Sequence, residues 1–272
     1  MLTAAGTGRN SEKDMGISAA MLSFVLLVSE RIAGEGASVA TAAISQRITP
    51  QESLLPRNVT PTHNPGKSRS YYYGLNYRKL EMCQEIDFVS RDDWGAKLPK
   101  AVKYFSINGG VRHVLFHHTE GQDCFCKKKC AEIVLKWQEV HQEYQGWNDI
   151  GYNFMIGGNG MVLEGRGWNQ VGAHTVGFNN KSVSFGFVGD YTDRVPNERM
   201  IKAAMSLIKC GIQLKTISPN YTLHGQADAD CRRCPGEAFH AYMRSMPNFG
   251  GRLKDYKCTP SPWKQIKIST IR

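Results

Sequence analysis

Residues 146–174, GWNDIGYNFMIGGNGMVLEGRGWNQVGAH, constrain this chain more than any other stretch. Residues 150–156 have the aromatic and aliphatic make-up of a strand. Gly157, Gly158, Asn159 and Gly160 then supply hairpin-turn chemistry, because glycine and asparagine tolerate a positive φ. Residues 161–164 are the expected returning strand, and Gly165, Arg166, Gly167 and Trp168 open a loop. Aromatic and polar groups therefore gather around one hairpin and its loops. A groove for an extended polar ligand is built in this way.

The flanking segments set the class of fold around that hairpin. Residues 111–118 (VRHVLFHH) read as a central strand ending in two histidines. A helix is expected over 130–144, where Ile133, Trp137, Val140 and Tyr144 form one apolar stripe with His141 at its edge. Residues 182–188 (SVSFGFV) are another strand. Pro196 opens a second helix, with Ile201, Met205, Ile208 and Ile212 at helical spacing. A short strand ends over 223–226, and 235–246 form a third helix with proline in the first turn. Strands alternating with helices predict a single α/β domain, a mixed sheet with helices on its faces.

That domain spans 83–249, the size of one ordinary core. Before it, residues 16–28 (GISAAMLSFVLLV) are apolar over a length too short to span a bilayer, which takes about 20 residues. They match the core of a secretory signal, with small residues over 34–43 as cleavage sites. Residues 1–43 are thus the expected signal region, and 44–82 a linker too poor in large apolar groups to offset its ordering entropy. No stable membrane span is expected. The eight cysteines lack paired CxxC spacing, and disulfides in a secreted, extracellular domain explain them. Sequons at Asn58, Asn180 and Asn220 are usable in the same compartment.

Basic residues outnumber acidic ones, 34 against 24. The tail over 250–272 contributes to that excess and is a candidate for contact with anionic surfaces or membranes. No nucleic-acid-binding signature accompanies the charge, so nucleic acid is not an expected partner.

FHHT (116–119), GWNDIGYNF (146–154), EGRGWN (164–169), GAHT (172–175) and CPG (234–236), in this order, closely resemble the peptidoglycan recognition proteins of innate immunity. Their fold is shared with zinc-dependent N-acetylmuramoyl-L-alanine amidases. The resemblance implies a central, mostly parallel mixed sheet flanked by helices. It also implies bacterial peptidoglycan or muropeptides as ligand, and an immune signalling protein or receptor as a further partner. In amidase members, two histidines and a cysteine hold zinc, leaving a position open for the water that attacks the lactyl-amide bond. Carried onto this chain, His117 and Cys234 are two of those ligands, and Tyr152 is the assisting tyrosine.

The second histidine is expected eight residues before the cysteine, where this chain has Gln226. A neutral amide oxygen is a poor zinc ligand beside an imidazole nitrogen. His224 lies about 6.6 Å along the strand from that place, too far to substitute without a register slip. Arg232, where the family carries threonine or lysine, is a further departure. The expectation is binding without cleavage and no cofactor. The rival is a zinc amidase completed by His224 or by water.

By the same resemblance the groove wall includes His118, His141, Tyr152, His174 and Asn179. Arg166, with Gly146 and Trp147, matches members that prefer meso-diaminopimelate over lysine in the stem peptide. The extra carboxylate of diaminopimelate suits a guanidinium fork. The resemblance also implies Cys124–Cys130 and Cys83–Cys210 bridges. It leaves Cys126, Cys231, Cys234 and Cys258 unassigned.

Overall fold

The computed structural model describes residues 81–258. The expected signal region, nearly all of the linker with Asn58, and the tail beyond Cys258 lie outside the described residues. Strand β2 (Val111–His118) sits inside a six-stranded sheet of order β1-β4-β3-β5-β2-β6. The other strands are β1 (Phe88–Val89), β3 (Phe154–Ile156), β4 (Val162–Glu164), β5 (Ser182–Phe187) and β6 (Ile217–Gly225). Among the described strands, only the hairpin pair β3 and β4 runs antiparallel; the pairings β1–β4, β3–β5, β5–β2 and β2–β6 are parallel. The sheet is therefore mixed and mostly parallel. Every residue of β5 is buried, as expected of a strand covered on both faces.

Alternation along the strands divides the core in two. Phe116, Phe154, Phe185 and Phe187 pack with Leu207 and Ile208 of α3 (Glu198–Gln213) and Phe239 and Met243 of α4 (Glu237–Met243). Met155, Leu163 and Val188 face Ile133 and Val134 of α2 (Lys127–Glu139). A short α1 (Glu81–Gln84) carries Cys83, bonded to Cys210 of α3. Cys124 is bonded to Cys130 at the start of α2. No helix of the described residues is long and apolar enough to cross a membrane.

Several elements differ from the sequence expectation. The helix expected over 130–144 is α2 continued by a π-helical turn, Val140–Tyr144. A π turn inserts an extra residue and rotates the positions after it. Tyr144 therefore leaves the apolar stripe and is exposed, while His141 and Gln142 turn inward. On α3 the buried face is Met200, Ala203, Ala204, Leu207, Ile208, Cys210 and Gly211; Ile201, Met205 and Ile212 lie at its margin. Small residues set that face: a Cβ on Gly211 would stand 2.6 Å from Ile217 and 2.7 Å from the Trp168 ring.

The hairpin strand expected over 150–156 is β3 alone, because residues 150–153 hydrogen-bond to loops. Gly151 O accepts Ala173 N–H, and Tyr152 O accepts Arg166 N–H. In the turn only Gly160 has a positive φ, +89°. Gly157 and Gly158 are small for another reason: a Cβ would stand 2.6 Å from Cys130 Sγ and from Phe125, respectively. The third helix begins at Glu237 rather than Pro235, since Gly236 takes φ +102°. Strand β6 is far longer than the short end expected. Residues 250–258, grouped with the basic tail in the sequence, pack against the domain.

Candidate functional site

Parallel strands place loops and strand ends along one rim, and the crevice outside their carboxyl ends is where open α/β sheets bind ligands. His117 is the penultimate residue of β2, and Gln226 comes directly after the last residue of β6. Cys234 reaches the same place, its Sγ 3.6 Å from His117 Nδ1 and accepting the His118 backbone N–H at 3.4 Å. Two donors of one tetrahedral zinc ion stand about 3.6 Å apart at usual bond lengths, so these two keep a metal-compatible spacing.

The third corner does not complete the set. Gln226 Nε2 donates to Asp230 Oδ2 at 3.0 Å and to His174 O at 3.3 Å. Both amide hydrogens are thus engaged, and the side chain also touches His117, whose protonated form it favours. Among the described residues no group of three His, Cys, Asp or Glu side chains converges to hold a metal ion. The donor set of His117, Cys234 and an amide therefore does not fit a three-ligand zinc centre. His224 offers no substitute. Its Nδ1 pairs with Gly251 O at 2.7 Å, its Nε2 with Thr222 Oγ1 at 2.7 Å, and its ring lies against His113.

The groups at this centre are held neutral by burial. Desolvation pushes the His117 imidazole down to about 3 and the Cys234 thiol up to about 12. It also raises the Tyr152 phenol and drives His174 well below its usual value. Arg232 opposes the rise at both Cys234 and Tyr152 and lowers His117, so its positive charge is felt across the centre.

From His117 an aromatic wall runs toward the π turn that follows α2. His117 lies against Tyr152 (5.3 Å between ring centroids) and His174 (5.1 Å). Tyr152 meets His141 at 5.9 Å, and His141 stacks on Trp147 at 4.6 Å with 20° between planes. The His141 ring is oriented by its Nδ1, which accepts Gly151 N–H at 3.0 Å. Gly146, at φ +69°, comes just after the π turn in the left-handed conformation that ends helices, and the next N–H, of Trp147, bonds His141 O.

Arg166 lies behind this wall, only 8% exposed. Its Nε donates to Ile150 O at 2.7 Å, its NH1 to Val171 O at 2.8 Å and its NH2 to Asp149 O at 3.4 Å. Asp149 pairs with Arg91 at 3.0 Å. A guanidinium carries five N–H donors, so two remain beyond these bonds. Asn179 Oδ1 accepts the N–H groups of His174 and Thr175, each at 2.8 Å, and so shapes the loop under His174.

His118 is not brought to the cluster. Neighbouring strand residues point to opposite faces, and its Nδ1 accepts Tyr191 N–H at 3.2 Å near Asp190. Trp168 is a core residue, packed on Phe154 at 4.5 Å. Two features escaped the sequence reading. Asp230 anchors Gln226, and the sequence offered two acids between Gln226 and Arg232, Asp228 and Asp230, with nothing to choose between them. Cys231 is bonded to Cys258, a pairing that no spacing rule selects from four candidates; Cys126 and Cys234 are free.

Residues 108–237 match the family described as N-acetylmuramoyl-L-alanine amidase. Peptidoglycan-recognition protein LB of Drosophila melanogaster is 40% identical over 162 residues, covering 59% of this chain and 69% of that protein. Peptidoglycan recognition protein 1 of Bos indicus is 36% identical over 162 residues, covering 59% and 84%. Among solved structures, wild-type Drosophila PGRP-LB is 39% identical with a TM-score of 0.59, covering 61% of this chain and 98% of that one. The ectodomain complex of peptidoglycan recognition proteins LCa and LCx with bound tracheal cytotoxin is matched at 34% identity and a TM-score of 0.59, covering 61% and 99%.

Proposed function

The chain belongs to the peptidoglycan-recognition protein family, and from that premise we propose that it binds bacterial peptidoglycan fragments without cleaving them. The reading rests first on a continuous run of ring contacts, Trp147–His141–Tyr152–His117–His174, that starts from the carboxyl end of β2 and reaches the π turn after α2. Flat rings with polar edges suit a ligand made of sugar and peptide, because they offer apolar faces and hydrogen bonds together. The relatives complexed with tracheal cytotoxin support the same ligand class.

The observation that carries the absence of cleavage is Gln226. Hydrolysis in the family depends on a Lewis acid that polarises the amide carbonyl and activates water. Here the third corner offers only a neutral amide oxygen, a poor zinc ligand beside imidazole, on a side chain oriented by bonds from its Nε2 to Asp230 and His174. The preferred stem peptide is the diaminopimelate type. Arg166 is desolvated and fixed by three carbonyls, and in this reading the two N–H groups beyond those bonds take the extra carboxylate, for which lysine has no counterpart. We place the protein outside the cell as an immune sensor that passes the binding event to a signalling partner.

A zinc amidase remains the second reading, favoured by one observation, the retained 3.6 Å approach of His117 and Cys234 beside Tyr152. Purified protein assayed for zinc content, for binding to diaminopimelate muropeptides and for stem-peptide release separates the two. Saturable binding without release is the expected result. Stoichiometric zinc with turnover that His117→Ala abolishes would overturn it.

A further inference from the structure

The last described segment tracks the edge of the sheet and then the site loop, residue by residue. Strand β6 is the edge strand, and an exposed edge leaves backbone groups unpaired. Residues 248–251 pair with its last residues. Leu223 N–H donates to Asn248 O at 2.8 Å, and Gly250 N–H returns to Leu223 O at 2.9 Å. His224 Nδ1 pairs with Gly251 O at 2.7 Å. Beyond the strand, Leu253 N–H reaches Asp228 O at 2.9 Å and Lys257 N–H reaches Ala229 O at 3.1 Å. Cys258 then closes the run on Cys231. Partners 223, 224, 228, 229 and 231 thus meet 248–250, 251, 253, 257 and 258 in parallel order.

Side chains fix the same strap. Leu253 packs with Leu115, Phe178 and Ala229 in a small buried cluster. Asp255 pairs with Lys181 at 2.7 Å. Gly250 passes so near His224 that a Cβ would stand 2.5 Å from the ring.

The strap grips the segment that bears Gln226, Asp230, Arg232 and Cys234. Inside, that segment is closed by Ala227 N–H to Cys234 O at 2.8 Å and by Asp230 N–H to Gln226 O at 3.0 Å. Asp230 takes the Gln226 amide on Oδ2 and the Arg232 backbone N–H on Oδ1. Asp230, Cys231 and Arg232 are consecutive, so the Cys231 bridge anchors the backbone between the carboxylate and the guanidinium.

We propose that the strap 248–258, locked by Cys231–Cys258, is a positioning device that holds Gln226, Asp230 and Arg232 against the His117 end of the cleft. Through them it sets how the ligand's sugar–peptide junction is held. The ligand half of this inference rests on the function proposed above; the bracing half does not. Both cysteines act through the loop they tie and touch no ligand themselves.

The full chain carrying Cys231→Ser with Cys258→Ser is compared with wild type in two measurements. Hydrogen exchange is expected to rise at the amides of 227–231 while the amides of β2, β5 and α3 keep their protection. Affinity for a muramyl-tetrapeptide of the diaminopimelate type is expected to fall about tenfold, with the free stem tetrapeptide changed less than about twofold. Leu253→Ala, with the bridge intact, is expected to shift both readouts in the same direction by less. Unchanged exchange at 227–231 overturns the bracing. Equal losses for both ligands, or a general loss of protection, overturn the specific positioning. If wild type binds neither ligand while exchange rises locally in the variants, the peptidoglycan reading and the ligand half fail and the bracing stands.

Discussion

Gln226 donates its side-chain amide to Asp230 Oδ2 at 3.0 Å, so the residue at the third metal corner is anchored by a carboxylate instead of being free to turn. The neighbouring pair, His117 and Cys234, keeps a metal-compatible spacing without a third partner of matching chemistry.

Gln226→His is therefore expected to create a zinc site from the existing pair. Replacing an amide by imidazole at one of three protein ligands should raise zinc affinity by at least about 100-fold, more than outer-sphere changes typically bring. Competition with a chromogenic chelator measures it. Equal zinc affinity in variant and wild type would count against the placement of His117, Cys234 and position 226 around one point.

Arg166→Lys keeps the charge but removes the planar fork. A charge-assisted hydrogen bond contributes about 1.5–3 kcal/mol, so affinity for diaminopimelate muropeptides should fall roughly 10- to 100-fold. Affinity for lysine-type muropeptides should change little. Calorimetric titration of both ligands is the check, with the melting temperature tracked because Arg166 also bonds three carbonyls. Equal losses for the two ligands would remove Arg166 from recognition of that carboxylate.

Gly151→Ala should be destabilising, although its φ is ordinary. The new Cβ would stand 2.5 Å from Ala173 O and 2.8 Å from the Trp147 ring. Overpacking of this kind costs about 1–3 kcal/mol, and moving Trp147 should also loosen its stack on His141. Urea denaturation and tryptophan fluorescence report the two effects. A variant of wild-type stability would mean that the ring has room to retreat.

Stability should fall as the solution is acidified from pH 6.5. Burial holds His117 and His141 down to about 3 and His118 to about 4, whereas the unfolded chain protonates its histidines near 6.5. Between those values the unfolded state binds more protons, so the stabilisation present above pH 6.5 is lost on descent through this window. Each such histidine contributes a slope of up to about 1.4 kcal/mol per pH unit. Urea midpoints at pH 7.5, 5.5 and 4.5 test this. A flat profile would contradict the buried neutral imidazoles.

The family, the mixed sheet and most elements were legible in the sequence because they depend on local chemistry. The run 111–118 contains no turn former and ends in His117 and His118. The Gly- and Asn-rich run 157–160 marks the turn, where Gly160 takes the positive φ, and Asn197 caps α3 where Pro196 predicted a start. The buried faces of helices were less legible. The stripe Ile201, Met205, Ile208 and Ile212 has ideal periodicity, yet the buried face is turned toward Ala204 and Gly211. Close approach to Ile217 and Trp168 selected small residues there, and no measure of hydrophobicity rewards them. Tyr144 failed for a related reason, since one π turn shifts every later position on the helix.

By itself the sequence determined which chemical groups exist: His117 and Cys234, glutamine where imidazole was expected, Arg166 in the loop after the hairpin, and eight cysteines. Tertiary structure alone decided which of them meet. It sent His117 into the cleft and His118 to the other face, because adjacent strand residues diverge. It desolvated Arg166 behind the wall, spent the Gln226 amide on Asp230, and joined Cys231 to Cys258 through a strap that the composition had merged with a basic tail. Residue identity is a local property, whereas distance, burial and hydrogen-bond partnership arise only when distant segments share one core.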